Sequence, residues 1–392
     1  MSEKLAEVFE QYDMEVISTR KGRGSTIIEL NDGLRILEPF RGSMARLEQE
    51  YVLKQLFLEK GISNMDHIIP NRDGQLFTCD KYRQPYVMKK HFDGRECDLH
   101  EKDDLLNVVN VMADFHKSGR NVALEFEDRW NETRRHKEEM RVEEIRKAIE
   151  DGEEMERIAY LYEISQSALE KAIKKEKEHK ENSKKTEEIH DELSEDVRDR
   201  FVRHNAQIRK IGRFVSKVRR RNAFENLFLE VYNGFYEQGL ECISMLANDK
   251  NDNVLKRHYG ICHGSFNQHN VIICPDITAI VHFERFTRGN QLNDLYQFSR
   301  KTMEKNHFDF DMLMSMLEAY SEKLKLDNED YKYLYVLFSY PEKFWKIANS
   351  YYNSNKAFLS PKYLEKLETV ICQEKEKQEM LGRMKTIVFE QE

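Results

Sequence analysis

The sequence predicts an α+β protein with a small β-rich lobe over residues 1–92 and a large, mainly helical lobe over residues 93–392. Three observations predict it. Short β-branched runs alternate with turn residues from Glu15 to Pro39, and helical apolar spacing takes over from Asp103. The composition has only 16 Gly and 6 Pro with 34% charged side chains, which suits helices better than a barrel or a disordered tail. A chain of 392 residues also needs more than one hydrophobic core, since single domains run to about 100–200 residues.

Glu15 to Thr19, Ser25 to Leu30 and Leu34 to Leu37 read as three strands, joined by the turns Arg20 to Gly24 and Asn31-Asp32-Gly33. From Ser43 to Lys60, Leu47, Tyr51, Leu53, Leu56 and Phe57 recur at helical spacing, and Gly61 is a good stop. A helix should therefore pack on the small sheet. Strand candidates follow at Ile68-Ile69, Leu76 to Thr78 and Tyr86 to Lys90, before a polar turn at Asp93-Gly94-Arg95-Glu96 that reads as a hinge. Beyond it, helical pattern begins at Asp103 to His116 and resumes from Phe201 to Leu246.

Between these helical stretches, at about 128–200, lies a charged helical insertion packed with Glu, Lys and Arg. Met155, Ile158, Tyr162, Leu169 and Ile173 recur as on one helix face, with a break near Asp151-Gly152. Such an arm is either a solvated surface insertion or a device that buries its thin apolar stripe on another protein.

The formal charge of −8 argues against generic affinity for nucleic acid or anionic lipid, although Lys217 to Arg221 is locally basic. The N-terminus Met1-Ser2-Glu3-Lys4-Leu5 has no apolar signal core, and no apolar stretch approaches the roughly 20 residues of a membrane span. We therefore expect synthesis in the cytosol and no membrane insertion. Six cysteines stand without a C-x-x-C pair, so reduced thiols are the default.

The most informative stretch runs Cys262-His263-Gly264-Ser265-Phe266-Asn267-Gln268-His269-Asn270, then Val271 to Ile273, Pro275-Asp276 and Ala279 to Phe283. It reads as a loop followed by a hairpin. It resembles the H-G-D-x-x-x-x-N loop of phosphotransferases of the kinase fold, whose hairpin ends in a magnesium-binding Asp. Asp294-Leu295-Tyr296-Gln297-Phe298 is similar to the D-L-x-x-F segment of aminoglycoside and choline kinases, where the Asp braces the loop. That resemblance assigns Asp294 a bracing role.

The flanks narrow the likeness. Tyr12 to Val16, Arg20 to Gly24, Gly94 to Asp98 and Pro341-Glu342-Lys343-Phe344-Trp345-Lys346 resemble motifs of the CotS family, kinase-like spore-coat proteins of endospore-forming bacteria. The resemblance spans nearly the whole chain outside the charged insertion. It implies a protein-kinase-like fold of the aminoglycoside phosphotransferase type.

Against that pattern the phosphoryl-transfer positions are replaced. Ser265 stands where a carboxylate should take the acceptor's proton, and a neutral hydroxyl offers no comparable base. His282 stands where an oxygen ligand should hold magnesium. Glu38 stands where a lysine should steady the phosphates, which a carboxylate repels. Arg35, on the same strand, should point to the opposite face from Ile36, and the helix residues Glu48 and Glu50 then have no obvious partner. His263, Asn270, Gly22 and Gly24 remain as candidate cleft residues. Gly22-Arg23-Gly24 is either a plain turn or a bend over a phosphate, and Asn270 is either a metal ligand or a loop hydrogen-bond donor. His263 with Cys262, His269 and His282 offers soft-metal ligands on paper, but a buried loop brace is the simpler reading of His263, and no metal is expected.

The resemblance implies a spore-coat protein that starts in the cytoplasm and ends in the coat. Its expected role is a non-catalytic scaffold or binding protein for other coat proteins, with no cofactor. One alternative is a phosphotransferase that uses ATP and magnesium with relocated groups, Glu284 among them. The other is a module that binds nucleotide or sugar without turning it over.

Overall fold

The computed structural model describes residues 3–22, 24–150, 196–246, 250–353 and 361–389. The chain forms two compact units, Met1–Leu124 with Leu193–Glu392, and Glu125–Glu192. In the second unit the described residues, 125–150, are helical. The expected break at Asp151-Gly152 and the stripe from Met155 to Ile173 lie outside the described residues.

In the first unit, a short helix α1 (Glu3–Phe9) precedes strands β1 (Val16–Lys21), β2 (Thr26–Leu30) and β3 (Gly33–Pro39). The meander read from the sequence is therefore present, and Gly33, at φ +123°, supplies the left-handed turn residue that closes its second hairpin. Helix α2 (Met44–Glu59) follows and stops at Gly61, whose φ of +82° ends it. Strands β4 (Thr78–Cys79) and β5 (Pro85–Lys90) complete an antiparallel sheet in the order β1-β2-β3-β5-β4. The expected strand at Ile68-Ile69 is reduced to one bridge, Ile68 with Lys89.

Strand alternation sorts the two faces of this sheet. Ile28, Leu37 and Met88 pack with Val8, Phe9 and Tyr12 on one side. Val87 packs with Leu47 of α2 on the other. In β5 this puts Lys89 on the same side as Val87, and its cross-strand partner Ile36, with Glu38 two residues on, shares that side.

The polar turn expected as a hinge contains β6 (Arg95–Glu96), which pairs with β8 (Val271–Ile273); β9 (Thr278–Ile280) completes that small sheet. Arg95 is fixed by a bidentate pair with Asp104 at the start of helix α3 (Lys102–Glu150). Helices α4 (Val197–Ser216), α5 (Ala223–Met245) and α6 (Lys250–Arg257) lead to β7 (Tyr259–Cys262), which pairs with β10 (Thr287–Asn290). Five helices finish the described chain: α7 (Leu292–Met303), α8 (Phe310–Lys323), α9 (Asn328–Ser339), α10 (Glu342–Asn353) and α11 (Lys362–Phe389). An aromatic core joins α5 to α10, with Phe344 stacked on Phe228 and Phe235. No helix among the described residues is long and apolar enough to cross a membrane.

Candidate functional site

The loop after β7 is held from below. Asp294, fully buried at the start of α7, accepts hydrogen bonds from the backbone N–H of His263 at 2.6 Å and of Gly264 at 3.0 Å. His116 of α3 closes on the same carboxylate at 3.4 Å, and Tyr320 backs its other nitrogen at 2.8 Å. Gly264 has φ +73°, and a Cβ there would lie 2.0 Å from the carbonyl oxygen of Arg285, so only glycine fits this turn.

His263 does not line the cleft. Its ring is fully buried: Nε2 donates to the carbonyl of Val281 at 3.0 Å, and Nδ1 accepts from the backbone N–H of Ser265. Burial pushes its pKa down, so the neutral ring ties the loop to the hairpin. Asn270 adds a second tie, its Nδ2 donating to the carbonyl of Ser265 at 2.9 Å and its carbonyl accepting from Val281 N–H.

Above this loop lies a cleft of about 580 Å³. Ile27 and Ile36 wall it from the small sheet, Ile272 and Val281 from the hairpin, and Phe92 closes the side. Glu38, Asn270 and His282 reach it, as does Gly22; Gly24, Ser265 and His263 are not among its lining residues. Gly22 donates its N–H to the carbonyl of Ser25 at 2.9 Å, closing the turn between β1 and β2.

At its polar end, Asp66 and Lys89 line the cleft and belong to a charged network that the sequence did not reveal. Lys54 of α2, wholly buried, places Nζ 2.5 Å from Glu50 Oε1 and 2.6 Å from Asp66 Oδ1. Lys89 places Nζ 2.9 Å from Glu284 Oε1, 3.4 Å from Glu50 and 3.6 Å from Asp66. Glu50 therefore has two lysine partners, which corrects the expectation that the helix glutamate is stranded. One of these lysines, Lys89, stands on β5, the neighbour of the β3 strand that carries Glu38. A charged residue on the α2-facing side of β5, in step with Val87, was the available signal. Asp66 gave none.

Burial opposes the charge on Lys89, Asp66 and Glu284, but the partners prevail. Lys89 is held well above its ordinary value because Glu50, Asp66 and Glu284 outweigh its desolvation. Asp66 is held below the usual carboxylate range by Lys54 and Lys89 against the same burial. Glu284 also resists desolvation: the hydrogen bond to His282 and the ammonium of Lys89 hold it far down. His282 completes the chain, its Nδ1 3.4 Å from Glu284 Oε1, an interaction that raises its pKa. Its backbone N–H donates to Asp66 Oδ2 at 3.1 Å, and its φ of +68° is rare for a residue other than glycine.

Among the described residues no group of three or more His, Cys, Asp or Glu stands close enough to hold a metal ion. Cys262, His263, His269 and His282 are thus not brought together. His269 instead pairs with Glu96 across 2.5 Å at the exposed rim. Arg35, as alternation predicted, lies away from the cleft, bonded to Asp32 at 2.6 Å.

Comparison with solved structures identifies the class: the chain has the kinase-like fold of the aminoglycoside phosphotransferases. It is similar to an aminoglycoside phosphotransferase from Alicyclobacillus acidocaldarius at a TM-score of 0.71 and 12% identity, covering 97% of this chain and 94% of that one. It is also similar to spectinomycin phosphotransferase APH(9)-Ia in its AMP-bound complex, at a TM-score of 0.54 and 9% identity, over 94% and 93% of the two chains. The resemblance to kinase-like spore-coat proteins of the CotS type is borne out more particularly, because residues 200–384 match the family described as "Spore coat putative kinase YutH". No curated protein matches the sequence.

Proposed function

We propose that this chain is a spore-coat protein whose kinase-like cleft does not transfer phosphoryl groups and which acts as a binding protein in coat assembly. One observation carries the reading: the cation best placed to receive phosphates, Lys89, is already bound to Glu50, Asp66 and Glu284. A nucleotide would have to displace Glu284 from Lys89 and approach Glu38, a second carboxylate lining the same space. Ser265, in place of the expected base, supplies the loop with a backbone carbonyl for Asn267 and Asn270. Loss of even one principal catalytic group commonly costs orders of magnitude in rate.

The test is thermal unfolding with ATP, ADP and AMP, each with and without magnesium, alongside ADP release from ATP. We expect an unchanged midpoint and no turnover. A ligand present at about 100 times its dissociation constant adds about 2.7 kcal/mol of stability, enough to move the midpoint by a few degrees. A magnesium-dependent shift of that size would overturn the proposal in favour of a phosphotransferase, and a magnesium-independent one in favour of a nucleotide-binding module.

A further inference from the structure

From Arg200 to Arg221 the chain has nine Lys or Arg and no Asp or Glu, although the whole chain carries −8. Helix α4 turns Arg209, Lys210, Arg213 and Lys217 outward, and Arg219 and Arg220 extend the patch. None of these six has an ion-pair partner among the described residues. The same face exposes Val202 and Phe214. Exposed cations beside exposed apolar side chains fit an acidic protein surface.

A complementary surface exists on the same molecule. Helix α5 lines a groove of about 600 Å³ with Glu230, Gly234, Glu237, Glu241 and Met245, floored by apolar Phe235 and Leu381. Glu230, Glu237 and Glu241 are exposed and have no ion-pair partner among the described residues. Gly234 sits inside the helix, where glycine is disfavoured. A Cβ there would meet nothing within 4 Å, so packing within the chain does not call for glycine. The two helices also share a spacing: Ala206, Arg209 and Arg213 on α4 repeat as Gly234, Glu237 and Glu241 on α5.

We propose that the α4 face of one copy docks into the α5 groove of a second copy, with Ala206 over Gly234 and Arg209 and Arg213 against Glu237 and Glu241. The two surfaces differ, so the contact is heterologous and each copy keeps a free donor and a free acceptor face.

Sedimentation velocity tests this with the full chain. We expect concentration-dependent association at low salt that weakens at high salt. Reversing either face, by Arg209→Glu with Arg213→Glu or by Glu237→Arg with Glu241→Arg, should weaken association by about tenfold or more. An equimolar mixture of the two variants should associate again, because each then offers the other a complementary face. The residues are exposed, so thermal midpoints should stay near the parent's; the neutral pair Arg209→Gln with Arg213→Gln serves where a reversal impairs folding. A parent that stays monomeric, association indifferent to both reversals, or a mixture that stays monomeric would each overturn the proposal.

Discussion

Lys89 is the residue on which the polar end of the cleft turns. Its side chain is almost wholly buried and neutralises parts of three carboxylates, so its removal leaves charge in a medium that solvates it poorly. We expect Lys89→Met to lower stability by about 3–5 kcal/mol in urea unfolding; a loss below about 1 kcal/mol, the range of surface pairs, would mean that the network is well solvated. His67 offers a separate test on the pH axis. Burial, reinforced by Lys54, lowers its pKa from 6.5 to about 4. Between these values the unfolded chain binds more protons than the folded one, so stability is lost as pH falls through that window. The loss is about 3 kcal/mol for this group, and His67→Leu should flatten the acid side of the stability profile accordingly. An identical slope in both proteins would show that His67 is solvated.

At the scale of elements, local sequence accounts for much of the helical lobe. Helix α5 opens with a capping box in which Asn222 accepts from Glu225 N–H and Glu225 accepts from Asn222 N–H. Asn222 also donates to the hydroxyl of Tyr351 at 2.6 Å, linking α5 to α10. Asn222→Ala should therefore cost about 1–2 kcal/mol, the upper part of the range for a lost cap. Chemical denaturation would measure it, and Tyr351→Phe on the same background would separate the cap from the link. Legibility at this scale followed periodicity. The meander, α2 and its Gly61 stop were readable because strand alternation, helical spacing and a left-handed terminus are local properties. The strand expected at Ile68-Ile69 shrank to one bridge to β5, closed by hydrogen bonds from Ile69 N–H to the Met88 carbonyl and from Lys90 N–H to the His67 carbonyl.

For the molecule as a whole, the cleft can be read as a site closed by its own charges. The obvious restoration, Glu38→Lys with Ser265→Asp and His282→Asp, supplies the expected groups but leaves Glu284 on Lys89. We expect this triple variant to gain little ATP hydrolysis, and the addition of Glu284→Gln to be needed for a measurable gain. His282→Asp is tolerable to the backbone, because Asp, like His, adopts positive φ more readily than most residues. Turnover by the triple variant alone would show that the pairing of Glu284 with Lys89 does not obstruct the cleft.

The sequence by itself determined the three-stranded meander, α2 with its stop at Gly61, the loop from His263 to Asn270 and the absence of carboxylates at positions 265 and 282. These are properties of neighbours along the chain, set by periodicity, turn chemistry and residue identity. Only the tertiary structure decided that Lys89 of β5 lines the cleft and that Glu50 is paired. Each of those outcomes depends on which side chains from distant segments share one desolvated space. Asp66 meets Lys54, Lys89 and the His282 amide only after the sheet, α2 and the hairpin have packed, and no spacing along the chain records that meeting.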